Sequence, residues 1–135
     1  MLTATQTNGL ASRLRWFCLL LLCAAYLQGG LVKALDFPAA VGEMTHFGLQ
    51  PAPLFAVAVI VLELGAAALI LTGWVRWLGA LALAVFTAAA TFIANRYWEA
   101  TGHERFMLMN AFFEHWGLVG GLLLVAWHDW QERRG

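Results

Sequence analysis

The sequence predicts an all-α, membrane-embedded protein: a bundle of four transmembrane helices, with a short interfacial helix between the first and second spans. Three observations predict it. Apolar residues make up 61% of the 135 positions and charged residues only 12%, whereas soluble domains carry roughly a quarter charged residues. The mean hydropathy is +0.71, so a soluble fold would lack the polar side chains to cover its core. The apolar residues also gather into four runs, each near the roughly 20 residues that a hydrocarbon layer about 30 Å thick requires. The formal net charge is zero, with no basic run suited to nucleic acid and no acidic tail. At this length the expectation is a single domain, residues 1–135.

The elements follow in order. The opening "MLTATQTNGLAS" is small and polar and is expected to be a frayed tail. Arg13 and Arg15 then introduce the first span, about residues 14–35. A signal peptide has a similar start, but its apolar region is shorter and ends in a small-residue cleavage site. Here "CAAYLQGGLVKAL" runs on past any such site, and "LLLC" lacks the small residue that a lipoprotein signal places before its cysteine. Cys18 and Cys23 are five residues apart, a turn of about 140° on a helix. They form no C-x-x-C pair and read as small lipid- or core-facing side chains.

The connection "DFPAAVGEMTHFGLQPAP" is broken by proline and glycine. Phe37, Val41 and Met44 recur in it at helical spacing, which suggests the short interfacial helix. The second span covers about 53–71, and "TGWVRW" is a tight turn with tryptophans of the kind that favour the interface. The third covers about 77–95, "RYWEATGHER" is a polar loop, and the fourth covers about 107–127. Four spans put both termini on one side, with Arg13, Arg15, Arg76, Arg133 and Arg134. The other side has Lys33, Arg96 and Arg105 among four acidic residues. By the positive-inside rule both termini are expected in the cytoplasm.

Against this apolar background the polar residues inside the spans stand out. A charge at mid-bilayer costs several kcal/mol, roughly 2.5–3.5 on insertion scales, so such residues face the bundle interior and mark function by default. Glu63 lies in mid-span, about 15 Å from either surface at 1.5 Å per residue. Its helical neighbours include Ala56, Ala66 and Ala67, small residues that admit another helix. Thr87, Thr91 and Asn95 share one face of the third helix, and Asn110, Glu114, Gly117 and Gly121 share one face of the fourth. Tyr26, Gly29, Gly30 and Lys33 do so near the outer end of the first, and the long lysine stem can reach inward. Polar stripes on all four helices suggest a shared interior site weighted toward the outer half. The bland alternative is that these groups only satisfy one another: threonines bond their own helix and Lys33 snorkels. His115 has no second histidine at its depth, which argues against a bis-histidine haem. No C-x-x-C, H-E-x-x-H or phosphate-loop pattern is present, so neither a metal site nor a cofactor is assigned.

Taken in order, these segments resemble the DoxX family of small four-helix membrane proteins, from about Leu14 to Ala126. The pieces that carry the resemblance are "GGLVKALDFP", with the family's lysine at Lys33, "MTHFGLQPAPLFA", "VLELGAAALILTGWVRWLGALAL", "IANRYWE" and "FFEHWGLVGGLLLVA". In one place the chain departs from it: Glu114-His115 stands where many members have Lys-Asn. The resemblance implies a compact bundle in the bacterial inner membrane, encoded or assembled with redox enzymes, a quinone-linked thiosulfate oxidoreductase among them. It implies a non-catalytic membrane subunit rather than a self-sufficient enzyme.

The functional expectation is therefore a subunit that binds a small apolar or quinone-like molecule, anchors a redox partner, or both. Glu63 would be the central group of a polar intramembrane pocket. Lys33, Thr91, Asn95, Arg96, Asn110, Glu114 and His115 would be its other polar residues. Besides the lipid bilayer, the expected partners are a redox enzyme or further copies of the chain. Two other classes stay open: a small proton-coupled transporter or permeability factor, and a structural assembly subunit.

Overall fold

The computed structural model describes residues 4–135, with side chains described from Asn8 onward. Five α-helices follow one another: α1 Ala4–Leu35, α2 Phe37–His46, α3 Ala52–Thr72, α4 Arg76–Ala94 and α5 Gly102–Arg134, with a short 3-10 turn at Tyr97–Glu99 before the last. Four of them, α1, α3, α4 and α5, are long and apolar enough to cross a membrane. The short α2 falls where the interfacial helix is expected.

Local chemistry explains the boundaries. Asp36 caps α2, its side chain accepting from the Ala39 amide at 3.3 Å, and Pro38 sits in the first turn, where a missing N–H costs nothing. Pro51 and Pro53 open α3 in the same way. Gly73 closes it in the left-handed conformation, φ 79°, with its N–H on the Leu69 carbonyl, a backbone state that glycine adopts without a Cβ penalty.

Two boundaries correct the sequence reading. The opening stretch is helical from Ala4, not frayed, while residues 1–3 lie outside the described residues. Likewise α5 starts at Gly102 and runs to Arg134, longer at both ends than its apolar stretch. Once a span is helical, each added residue needs only propagation and not a new nucleus. Polar flanks without a proline therefore continue the helix.

The helices pack in the order α1, α3, α4, α5, with α2 laid against the start of α3. α1 and α5 barely touch, which leaves a cleft between them. α3 and α4 approach closely. A Cβ on Gly79 would stand 2.7 Å from the Ala66 carbonyl oxygen, and Ala66, Ala67, Ala80 and Ala84 are buried around it. Small residues let helix backbones close in where lipid gives no hydrophobic drive between helices. Large apolar side chains point outward instead, Leu21, Val61, Val85 and Leu124 among them, which is the pattern for a bundle whose solvent is acyl chain.

One end holds both termini and the α3–α4 turn, and it is tied by polar contacts. Trp16 donates to the Leu71 carbonyl at 3.0 Å, and Arg15 pairs with Glu132 across α1 and α5 at 3.2 Å. Asp129 is buried and caps the start of α4 by accepting from the Trp77 amide at 2.9 Å. Arg133 bonds Asp129 at 2.8 Å and also donates to the carbonyls of Gly73 and Trp74. A carboxylate at a helix start and a guanidinium at a helix end both oppose the local dipole charge.

Candidate functional site

The site grows from two glycines. Gly29 and Gly30 of α1 lie against α3 at the level of Glu63. A Cβ on Gly29 would stand 2.9 Å from Glu63 Oε2, and one on Gly30 would stand 2.8 Å from the Leu64 side chain. Their bare backbone leaves the room that the Glu63 carboxylate occupies. One turn further along α1, Lys33 bends back toward it, and its Nζ donates to Glu63 Oε1 at 2.9 Å. The side chains are 18% and 6% exposed, so the pair is largely shielded. Oε2 has no donor among the described residues and keeps its accepting capacity.

A second polar link crosses the bundle from α1 to α4. Tyr26 and Thr87 are both buried, with their hydroxyl oxygens 2.5 Å apart. Thr87 gives its proton to the Leu83 carbonyl at 2.6 Å, so the tyrosine is the donor in the pair. Further out on α4, Asn95 donates to Thr91 Oγ1 at 3.1 Å, and both residues are buried.

Beside the Lys33–Glu63 pair lies an apolar pocket of about 230 Å³ between α2, α3 and α4. Phe47, Phe55, Phe86 and Ile93 form much of its wall, and Lys33 and Glu43 are its charged residues. Lys33 therefore touches both the pocket and the buried carboxylate.

The structure brings some of the sequence candidates together and not others. Lys33 and Glu63 form the pair, and Thr91 and Asn95 bond each other. Arg96 is exposed, bonded to the Phe92 carbonyl at 2.8 Å and 3.5 Å from Glu99. Asn110 and Glu114 are exposed on α5, away from the pair, with no hydrogen-bond partner among the described residues. The half-buried His115 turns to its own helix and bonds the Ala111 carbonyl through Nδ1 at 2.6 Å. The α5 stripe thus does not close over Glu63, because α5 packs mainly on α4 and only sparsely on α1. The two cysteines part as their spacing implies: Cys18 is exposed and Cys23 is buried, both as free thiols.

Sequence reasoning singled out Tyr26 and Thr87 but did not pair them, and it passed over Glu43 and Asp129. The Asp129–Arg133 spacing of four residues was the available signal for the latter.

The DoxX family model matches residues 17–96, from the first turns of the apolar part of α1 to the end of α4. The chain belongs to the DoxX family. The matched stretch holds Gly29, Gly30, Lys33, Glu63, Thr87 and the pocket walls, while Glu114 and His115 lie beyond it. Among curated proteins, this DoxX-family chain is 29% identical to the inner membrane protein YphA of Escherichia coli strain K12 over 97 residues, covering 72% of this chain and 69% of that one. No solved structure matches it.

Proposed function

We propose that this DoxX-family protein is a bacterial inner-membrane subunit that receives the head of a small apolar, quinone-like molecule beside the Lys33–Glu63 pair and serves a redox partner. The observation that carries the reading is a shielded ion pair abutting an apolar pocket. Small-molecule sites are mostly apolar, with a few placed polar groups, and span roughly 300–1,000 Å³ for drug-sized ligands. At about 230 Å³ the pocket suits a single ring, with any tail lying outside it along the helices. Lys33 would donate to a ring oxygen, and Glu63 would hold the lysine in place and take or return a proton. The inner-membrane location is supported by the likeness to YphA.

A second reading is favoured by one specific observation: Glu63 already has its cation at 2.9 Å. On that reading the carboxylate is a strut that locks α3 to α1, and the pocket is incidental. Two measurements decide. Full-length protein in mild detergent, titrated with a short-chain quinone, should bind it, and Val59→Trp, which fills the pocket, should abolish binding. In cells, Glu63→Gln should accumulate normally and fail to complement a deletion strain, because the amide cannot titrate or carry charge. A Glu63→Gln protein that accumulates and complements fully would remove the proton-carrying role of Glu63 and favour the strut. Absence of quinone binding, or binding unchanged in Val59→Trp, would remove the ligand reading.

A further inference from the structure

The cleft between α1 and α5 has a chemistry that the Lys33–Glu63 site does not use. Its deep end is where the helices meet: a Cβ on Gly121 would lie 3.5 Å from Leu22 Cδ1. From there it runs toward the end that holds both termini, with a volume of about 470 Å³. The walls are apolar, Cys18 and Leu124 among them, and both of these are exposed at the outer surface of the bundle. At the mouth stand Arg15, Arg76, His128 and Glu132.

The cations there are unequally satisfied. Arg133, at the same end, is engaged through Nε by Asp129 and through Nη2 by the carbonyls of Gly73 and Trp74. Arg15 bonds the Glu132 carboxylate through both Nη groups, at 3.2 and 3.3 Å. Arg76 spends only Nε, on the Ile70 carbonyl at 2.8 Å, and its two Nη groups have no hydrogen-bond acceptor among the described residues. A guanidinium presents a planar fork of donors suited to phosphate. The surrounding tryptophans fix the depth. Trp16, Trp74, Trp127 and Trp130 are all exposed at this end, as side chains at the headgroup level are. The mouth therefore lies among headgroups, and the walls, about 12 Å further along α5 from Glu132 to Leu124, lie in hydrocarbon.

We infer that the α1–α5 cleft is a binding site for an anionic phospholipid, its phosphate held by the free Nη groups of Arg76, with Arg15 neutralising Glu132 beside it, and an acyl chain laid along Cys18 and Leu124. A cationic mouth over an apolar channel matches an amphiphile. Free phosphate would leave the apolar walls without a purpose, and a zwitterionic lipid would bring its own cation to the arginines. Basic pockets between membrane helices commonly take such headgroups. With α1 and α5 in so little direct contact, the lipid completes the packing between them and stabilises the bundle.

The test uses the full chain in maltoside detergent, with thermal unfolding and native mass spectrometry as readouts. Added phosphatidylglycerol should raise the unfolding temperature and stay bound to the protein, whereas phosphatidylcholine and inorganic phosphate should do neither. Arg15→Gln and Arg76→Gln should each weaken phosphatidylglycerol binding by about tenfold. Cys18→Phe should do the same by filling the channel with no change of charge. Arg13→Gln, outside the cleft, should behave as the parent. Should Arg76→Gln fail to fold for want of its Ile70 contact, Arg15→Gln and Cys18→Phe still decide. Equal stabilisation by phosphatidylcholine, an effect of inorganic phosphate alone, or parent-like binding by either of those two variants would overturn the assignment.

Discussion

Lys33 and Glu63 set the energetics at the residue scale, because neither can be removed alone without leaving a charge in a place of low polarity. Breaking one side of a buried pair costs about 3–5 kcal/mol, whereas replacing both partners with apolar groups of similar size is often neutral or stabilising. Lys33 retains some exposure, 18% of its side chain, so the single loss belongs at the lower end of that range. Lys33→Met should therefore lower stability clearly, and Lys33→Met with Glu63→Leu should recover most of it. Unfolding of the four proteins of this double-mutant cycle in detergent measures the coupling. Near-additive losses would mean that the two side chains do not depend on each other. The recovered double variant should still fail to complement, since it has lost both polar groups of the proposed site. Gly29 gives an independent check. Its missing Cβ is the space that Oε2 fills, so Gly29→Ala should push the carboxylate off its place and weaken the pair without touching either ionic residue.

At the scale of elements, the helix contacts rest on where glycine is required and where it is merely present. Gly79 faces backbone: even alanine there would set a Cβ 2.7 Å from the Ala66 carbonyl oxygen, and only a shift of α4 from α3 relieves that. Overpacking of this kind costs about 1–3 kcal/mol. Gly42, in α2, has nothing within 4 Å of its would-be Cβ, and a mid-helix glycine costs roughly 0.5–1 kcal/mol relative to alanine. Gly79→Ala should thus destabilise the protein and Gly42→Ala should stabilise it slightly, as read from their unfolding midpoints. Equal effects would contradict the α3–α4 contact. The same contrast shows what the sequence could and could not tell. The four spans, α2 and the turn at Gly73 were legible, because hydropathy, proline and glycine act locally. The inward face of Glu63 was legible from its alanines. The place of Glu114 was not, because a stripe on one helix becomes interior only if another helix covers it. That depends on the order α1, α3, α4, α5, which no periodicity encodes. Asp129 was missed for the same reason: its partner is an amide 52 positions away.

For the whole molecule, the remaining question is which side of the membrane the tied end faces. The contacts Arg15–Glu132, Trp16–Leu71 and Asp129–Trp77 hold both termini and the α3–α4 turn together, so their sidedness is a single property of the bundle. That end carries Arg13, Arg15, Arg76, Arg133 and Arg134, against Lys33, Arg96 and Arg105 at the other. One of those three, Lys33, is drawn inward onto Glu63, which sharpens the difference between the two surfaces. Lysine and arginine near short loops are retained in the cytoplasm, while acidic residues contribute little. Both termini should therefore be cytoplasmic. A green fluorescent reporter fused after Gly135 should be bright, and alkaline phosphatase at the same position should be inactive. Alkaline phosphatase inserted within residues 97–101 should be active. Replacing Arg13 and Arg15 together removes the Arg15–Glu132 pair but leaves the Trp16–Leu71 and Asp129–Trp77 contacts and the charges of Arg76, Arg133 and Arg134 in place. It should therefore weaken the bias and yield a mixed population of fusions. An active phosphatase after Gly135 in the parent chain would reverse the orientation. It would also move the α1–α5 cleft to the opposite leaflet and the proposed quinone pocket to the cytoplasmic half.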